Sequence, residues 1–407
     1  MRTLAMLSMH TSPLVQPGAG DSGGMNVYIR ELSSSLAQAG VGCVVFTRRW
    51  RPGLPDVVEV EPGLRVVHVP AGPDDLPKDK LPAAVEEFTD GVLDHILRLG
   101  DVDAIHANYW LSGVAGHVLK HELDLPLVST FHTLARVKAE TGDPEPQRRV
   151  EAEAKVIGCS DTITASGVAE ADQLVKLYGA DPERIELVPP GVLHAFFSPG
   201  DQAGARAALR LDPQVPVLLF VGRIQPLKGL DVAVRALAHV VGERPDALLV
   251  VVGGPSGTGG EQELGRVRAL VEQLGLRGNV RFVDPQPHHL LSTYYRAADV
   301  VVVPSRSESF GLVALEAAAC GTPVVAAAVG GLTTLVDDGR TGYLIETRDP
   351  SDYAVAIKAV LDDPGLEARL SAAAAERAER YTWSTTAARL RRLYADLTTR
   401  APVECAG

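Results

Sequence analysis

Residues 305–331 read SRSESFGLVALEAAACGTPVVAAAVGG and directly follow a run of four valines, Val300 to Val303, and a proline. The valine run has the length and composition of a buried strand, 304–310 reads as a loop, and 311–319 as an Ala/Leu-rich helix closed by Gly321 and Pro323. A strand-loop-helix of this kind aims unpaired backbone N–H groups and the positive end of a helix dipole at the loop, which suits a phosphate. Glu308 falls in that loop. Glu316 follows eight residues later, about two turns on and on the same face. One carboxylate beside a phosphate and one farther along can accept from polyol hydroxyls on either side of it, as a nucleotide sugar requires. Two solvated glutamates on an ordinary helix satisfy the same spacing.

Outward from this block the same unit recurs. In the second half, 217–221, 248–252, 280–283, 324–326 and 342–345 are further Val-rich runs without alternation, as strands buried on both faces should be. The first half offers strands at 3–8, 42–47, 64–69, 104–106, 127–130, 162–165 and 185–188, with helical periodicity at 25–39, 83–99 and 112–123. Its opening loop, 10–24, is glycine-rich but lacks the G-x-G-x-x-G dinucleotide fingerprint. Pro189, Pro190 and Pro199-Gly200 interrupt the alternation, which puts a boundary near residue 200. The predicted fold is α/β: two Rossmann-like, doubly wound parallel-sheet domains, 1–200 and 201–381, facing across a cleft. A terminal segment, 382–407, carries a helix at 384–398 with Ala387, Leu390, Leu393, Tyr394 and Leu397 on one face. Ligands of such sheets sit beyond the carboxyl ends of the strands.

Length and composition agree. A chain of 407 residues exceeds one ordinary core. With 46% hydrophobic and 22% charged residues it reads as globular, and no apolar run approaches the roughly 18–20 residues of a membrane span. No stable membrane insertion is expected, and with no secretory pattern at its start the chain is read as cytoplasmic. A net charge of −12 argues against nucleic acid as a partner. Cys43, Cys159, Cys320 and Cys405 show no metal-type spacing, so neither a structural zinc nor a disulfide framework is expected.

Two cations follow strand 217–221. Arg223 and Lys228 project from its C-terminal end, where they can neutralise a diphosphate, arginine by a planar fork and lysine as a point charge. Surface cations on a turn are the plainer reading of that segment alone. The loop 253–257, GGPSG, also follows a strand and admits a ligand close to its backbone, or is simply a tight turn.

Together R-x4-K and E-x7-E on two Rossmann-like halves resemble the retaining GT-B glycosyltransferases of family 4. The likeness covers nearly the whole chain. It extends to SMHTSP (8–13), GDSGGMNVYI (20–29), YWLSG (109–113), HTLA.VK (132–138), GGPSG and ESFGLVA.EA (308–317). The resemblance implies that Arg223 and Lys228 hold the donor diphosphate, that Glu308 meets the donor sugar and Glu316 the ribose, and that His132 reaches the sugar from the N-terminal side. Arg223, Lys228, His132 and Glu308 are then the catalytic group, and Gly24, Gly254, Phe310, Gly311 and Leu312 complete the donor set. It further implies a phosphorylated acceptor, such as 1D-myo-inositol 3-phosphate, bound by Lys78, Tyr109, Thr133 and Arg148 with Asn26 nearby; Arg149, the next residue, competes for the role of Arg148. Two departures stand out. Leu193 replaces the family's common Asp after the interdomain prolines, and Gln286 replaces an Arg near the nucleobase.

The implied reaction is retaining transfer of a hexosyl unit, N-acetylglucosaminyl from its uridine diphosphate, with closure of the cleft in the cycle. No cofactor is required beyond the nucleotide-sugar donor, a UDP-sugar, and no essential divalent metal is expected, since Arg223 and Lys228 replace it. The partners are small-molecule donor and acceptor, with a homodimer as the admissible assembly. Other readings stay open at this point: a different sugar donor, a hexose phosphate or secondary metabolite as acceptor, a nucleotide-sugar epimerase or phosphorylase on the same architecture, and a non-catalytic nucleotide-sugar sensor.

Overall fold

The computed structural model describes residues 2–405 apart from Ala19, Asp21 and Thr258. Asp21, in the predicted glycine-rich loop, therefore lies outside the described residues. The chain forms two compact units. Unit 1 comprises 1–15, 25–189 and 383–407, and unit 2 comprises 16–24 and 190–382.

Unit 1 is built on an eight-stranded sheet: β1 (Thr3–Leu7), β2 (Gly42–Arg48), β3 (Val57–Glu61), β4 (Leu64–Val69), β5 (Val102–Asn108), β6 (Leu127–Thr130), β7 (Thr162–Ala165) and β8 (Ile185–Leu187). Its order is β3-β4-β2-β1-β5-β6-β7-β8, all parallel except β3, which pairs antiparallel with β4. The edge strand β3 is absent from the sequence reading. Its sequence, VVEVE, has valines that stay partly or largely exposed, and a short edge hairpin gives none of the buried-run signal of the central strands. Central strands such as β1 and β6 are buried at every position, as their apolar composition demands. The final helix, Trp383–Leu397, belongs to this unit: Tyr394 is fully buried and its hydroxyl lies 2.6 Å from His106 Nδ1, while Thr386 Oγ1 donates to the Pro189 carbonyl at 2.8 Å.

Unit 2 carries a six-stranded, wholly parallel sheet: β9 (Val217–Val221), β10 (Leu248–Val252), β11 (Val280–Val283), β12 (Val300–Val303), β13 (Val324–Ala327) and β14 (Gly342–Ile345), in the order β11-β10-β9-β12-β13-β14. The four valines of β12 are buried, two toward each face, and separate two apolar layers: Val300 and Val302 lie with Leu230, Leu237 and Ile357, and Val301 and Val303 with Tyr295, Leu315 and Leu332. Leu193 packs against this second layer and its carbonyl accepts from the N–H groups of Phe196 and Phe197, both at 2.9 Å, so the linker is fastened by apolar packing and backbone bonds.

One expectation is corrected. The cysteines are not all scattered: Cys159 and Cys405, 246 residues apart in sequence, have Cα atoms 4.6 Å apart and their sulfurs in contact, with His117 and His121 beside them. Sequence spacing hides this because the four groups come from two helices and the segment after the last helix. Cys43 and Cys320 remain separate and buried. Among the described residues no helix is long and apolar enough to cross a membrane.

Candidate functional site

In unit 2 the strand order reverses between β9 and β12, so the loops leaving their carboxyl ends run to opposite sides and open a crevice there. Arg223 and Lys228 follow β9, and Glu308 follows β12. The two loops are tied together by Arg306 N–H donating to the Leu227 carbonyl at 2.8 Å. Across them Lys228 Nζ lies 2.6 Å from Glu308 Oε2, which also accepts from Ser305 Oγ at 3.1 Å. Arg223 Nη1 donates to Ser256 Oγ, 3.3 Å, from the loop after β10. Gly23 lies against the same guanidinium: a Cβ there would stand 3.0 Å from Arg223 Nε.

The helix after the Glu308 loop is Leu312–Ala319, capped by Gly311 at φ 99°, a left-handed conformation that glycine adopts without strain. A Cβ at Gly330 would stand 2.0 Å from the Glu308 carbonyl oxygen and one at Gly331 2.4 Å from Phe310 Cα. The Gly-Gly pair that ends the 305–331 block therefore lets its backbone press on the Glu308 loop, and Gly331 N–H donates to Glu308 O at 2.9 Å. Glu316 is only 5% exposed and both oxygens are engaged, Oε1 with His288 Nε2 at 2.7 Å and Oε2 with the Tyr295 hydroxyl at 2.8 Å. It is a carboxylate held in one orientation, not a solvated one. Phe310 turns its ring into the core against Tyr381, so only its backbone is left to border the loop. Leu312 packs on the same layer, 3.4 Å from where a Cβ on Gly24 would stand, and Gly254 N–H donates to Gly18 O at 3.0 Å.

In unit 1 the order reverses between β1 and β5. Tyr109 leaves β5 at φ 74°, ψ 155°, and His132 follows β6 at φ 61°; both are rare for residues with side chains and cost free energy that the surrounding contacts must offset. Tyr109 is the hub of a basic cluster. Its hydroxyl accepts from Arg149 Nη1 at 3.2 Å, and its ring has the Arg149 guanidinium 5.0 Å and Lys78 Nζ 5.9 Å from its centroid. Thr133 accepts from Arg149 Nη2 through both its carbonyl, 3.1 Å, and its hydroxyl, 3.0 Å. Arg149 itself is 3% exposed and is held by Glu153 at 2.7 Å and Glu145 at 2.8 Å. Arg148 is exposed, its Nη2 on the carbonyl of Asp79 at 3.1 Å, beside Lys78. Of the two arginines, Arg149 is the one joined to Tyr109 and Thr133. Lys78 begins a short 3-10 helix, Lys78–Ala84, instead of lying in an open loop. Asn26 is buried, its Nδ2 donating to Thr11 Oγ1 at 2.7 Å and to Ser12 O at 2.6 Å, so it braces the loop after β1.

His132 Nε2 lies 2.9 Å from Asn108 Oδ1, so that nitrogen carries the proton, and the ring meets Tyr28 edge-on at 4.9 Å. Burial pushes both His132 and the neighbouring His106 down to about 3. Both imidazoles are thus neutral in the folded protein at neutral pH. The unfolded chain binds protons at histidine near pH 6.5, so it binds more of them than the folded chain between that pH and about 3. The stability these residues give is complete above 6.5 and lost as pH falls, at about 1.4 kcal/mol per pH unit per histidine. Denaturant unfolding at stepped pH should show that decline, and His106→Gln should remove about one proton's share of it.

Several residues here escaped the sequence reading: Ser256, His288, Tyr295, Ser305, Asn108 and Tyr28. Each acts by orienting a named group, and single polar or aromatic residues on separate elements carry no periodic or spaced signal. Arg149 was in view, but adjacent arginines at a helix start differ by about 100° in direction, which sequence does not resolve.

Two doubly wound units of this order, one with a cation pair and paired carboxylates at its switch point, define a GT-B glycosyltransferase. Residues 201–377 match the family model described as glycosyl transferases group 1, and 23–191 that of the glycosyl transferase 4-like domain. The D-inositol 3-phosphate glycosyltransferase of Acidothermus cellulolyticus is 50% identical over 97% of this chain and 90% of its own, and that of Xylanimonas cellulosilytica 49% over 98% of each. Among solved structures, the sucrose-phosphate synthase of Thermosynechococcus elongatus superposes with a TM-score of 0.91 at 33% identity, over 98% of this chain and 100% of that one. Anabaena HepE in complex with UDP-glucose shares the fold, with a TM-score of 0.79 at 20% identity over 97% and 100% of the two chains. The chain belongs to the family 4 GT-B glycosyltransferases, in the group whose members are named D-inositol 3-phosphate glycosyltransferase.

Proposed function

We propose that this glycosyltransferase moves N-acetylglucosamine from UDP-N-acetylglucosamine to 1D-myo-inositol 3-phosphate with retention at the anomeric carbon. The observation that carries the reading is the basic cluster around Tyr109 at the switch point of unit 1: Lys78, Arg148 and Arg149 with the hydroxyls of Tyr109 and Thr133. Cations and hydroxyl donors drawn from separate loops match a phosphomonoester. Lys78 and Arg148, both exposed, reach the phosphate, while Arg149 spends its N–H groups holding Tyr109 and Thr133 and so acts as a positioning residue.

The donor falls to unit 2. Arg223 and Lys228 take the diphosphate, Glu308 accepts from sugar hydroxyls, and Glu316, fixed by Tyr295 and His288, accepts from the ribose. The acceptor hydroxyl attacks the anomeric carbon on the face from which the diphosphate departs; the C–O bond to the acceptor forms, the C–O bond to the diphosphate breaks, and the hydroxyl proton passes to the departing phosphate oxygen. The protein contributes position and charge: Arg223, Lys228 and the N–H groups at the start of helix Leu312–Ala319 stabilise the negative charge growing on the leaving group. His132, neutral and anchored on Asn108, lines the sugar without supplying charge.

The near-full-length likeness to sucrose-phosphate synthase favours one competing acceptor, a hexose phosphate. Both acceptors need the phosphate cluster, so the test separates them by ring. Lys78→Ala should raise KM for inositol 3-phosphate by about 10- to 100-fold, the loss of one or two charge-assisted bonds. It should leave unphosphorylated inositol as poor a substrate as before. Equal rates on phosphorylated and unphosphorylated inositol would end the assignment of this cluster, and faster transfer to fructose 6-phosphate would move the acceptor to the hexose class.

A further inference from the structure

The far ends of the two helices that present the acceptor cluster meet in a second constellation. Helix Trp110–Leu123 begins beside Tyr109 and carries His117 and His121 one turn apart near its end; helix Gln147–Cys159 carries Arg149 at its start and Cys159 at its end. Cys405 arrives from the segment after the last helix. One ligand atom from each of His117, His121, Cys159 and Cys405 lies within 4.8 Å of the others. His121 Nε2 is 3.0 Å from Cys405 Sγ and 3.5 Å from Cys159 Sγ, and the two imidazoles meet edge-to-face at 5.1 Å. We propose that these four side chains form a structural zinc site of the Cys2His2 type.

The two sulfurs in contact have two chemistries open to them, a disulfide or a pair of thiolates on one ion. A disulfide uses neither histidine. It would leave His121 Nε2 pointing at two sulfurs with nothing to exchange, and His117 Nδ1 is buried with no hydrogen-bond partner among the described residues. A tetrahedral ion with bonds of about 2.0–2.3 Å holds its ligands roughly 3.3–3.8 Å apart and engages all four groups. Histidines at i and i+4 share a helix face and can both reach it. Thiolate and imidazole donors in this number select zinc over the hard divalent ions. Four protein ligands leave no open coordination position, so the ion is structural, distinct from any metal at the donor diphosphate.

The site also explains why the segment after the last helix returns to unit 1. Val403 N–H donates to Asp161 Oδ1 at 2.5 Å, and Asp161 is itself paired with buried Lys120 at 2.8 Å, whose Nζ also donates to the Cys159 carbonyl. The ion would fasten that segment and both helix ends to one point, about 15–20 Å along the helices from Tyr109 and Arg149.

The test is metal analysis of the full chain, purified without chelator and dialysed, with thiols titrated in denaturant without reductant after chelation. About one zinc per chain and four titratable thiols are expected, cobalt(II) added in place of zinc should give tetrahedral thiolate absorption, and Cys405→Ser should lower bound zinc at least about ten-fold. Two titratable thiols, those of Cys43 and Cys320, with no zinc would assign a disulfide and overturn the proposal. Four thiols that bind neither zinc nor cobalt would overturn it equally.

Discussion

Lys228→Ala is expected to lower kcat by about 100- to 1,000-fold, the loss typical of removing one group that stabilises transition-state charge. Lys228 ends a 3-10 turn, Pro226–Lys228, and its ammonium lies 2.6 Å from Glu308 at the mouth of the β9–β12 crevice. The two charges satisfy each other; on the proposed reading a donor diphosphate takes the ammonium, and its claim grows as the glycosidic bond breaks. The side chains of Lys228 and Glu308 are 23% and 18% exposed, so water screens the pair and its removal should change stability by only about 1 kcal/mol or less. Initial rates of nucleoside diphosphate release, beside denaturant unfolding of the same preparation, separate the two effects. An inactive variant that is also strongly destabilised would recast Lys228 as structural.

Arg149→Ala should behave in the opposite way. Its guanidinium and the Glu153 carboxylate are 3% and 0% exposed, so alanine leaves a buried charge unpaired and should cost about 3–5 kcal/mol of stability. The same change releases the Tyr109 hydroxyl and Thr133, so kcat/KM for the phosphorylated acceptor should fall while donor KM is unchanged. Arg149→Lys retains the charge but not the fork, and should recover part of the stability and little of the acceptor KM. Arg148→Ala, on an exposed side chain, should stay within about 0.5 kcal/mol of the parent and raise acceptor KM alone. Thermal or denaturant unfolding of the three variants, with kinetics for each substrate, checks this division.

The contrast between those two residues marks where the sequence was legible. Strands such as Val217–Val221, Leu248–Val252 and Val300–Val303 are read residue for residue, because fully buried parallel strands write themselves as unbroken apolar runs. Arg223, Lys228 and Glu308 are legible for a related reason: each follows such a strand within a few residues, so its place at the carboxyl edge follows from the strand alone. Glu316 is only half legible. Its helix and face can be read, but Tyr295 and His288, which change it from a solvated carboxylate to a fixed one, come from helix Leu291–Ala297 and the 3-10 turn His288–Leu290 before it. The antiparallel edge strand Val57–Glu61 is a partly exposed hairpin arm with no buried run to report it, while the choice between Arg148 and Arg149 and the meeting of Cys159 with Cys405 depend on tertiary contacts between elements far apart in the chain, where no local pattern reports them.

The central claim, transfer of a hexosyl unit from a nucleotide sugar to a phosphorylated acceptor, is tested most directly by incubating the full chain with UDP-N-acetylglucosamine and either 1D-myo-inositol 3-phosphate or myo-inositol, following UDP release and the anomeric configuration of the product. UDP and a glycoside of retained configuration are expected in equal amounts with the phosphorylated acceptor, and a rate at least about 100-fold lower without the phosphate, given the two exposed cations assigned to it. Donor binding with no turnover on either acceptor, or equal turnover on both, would contradict it.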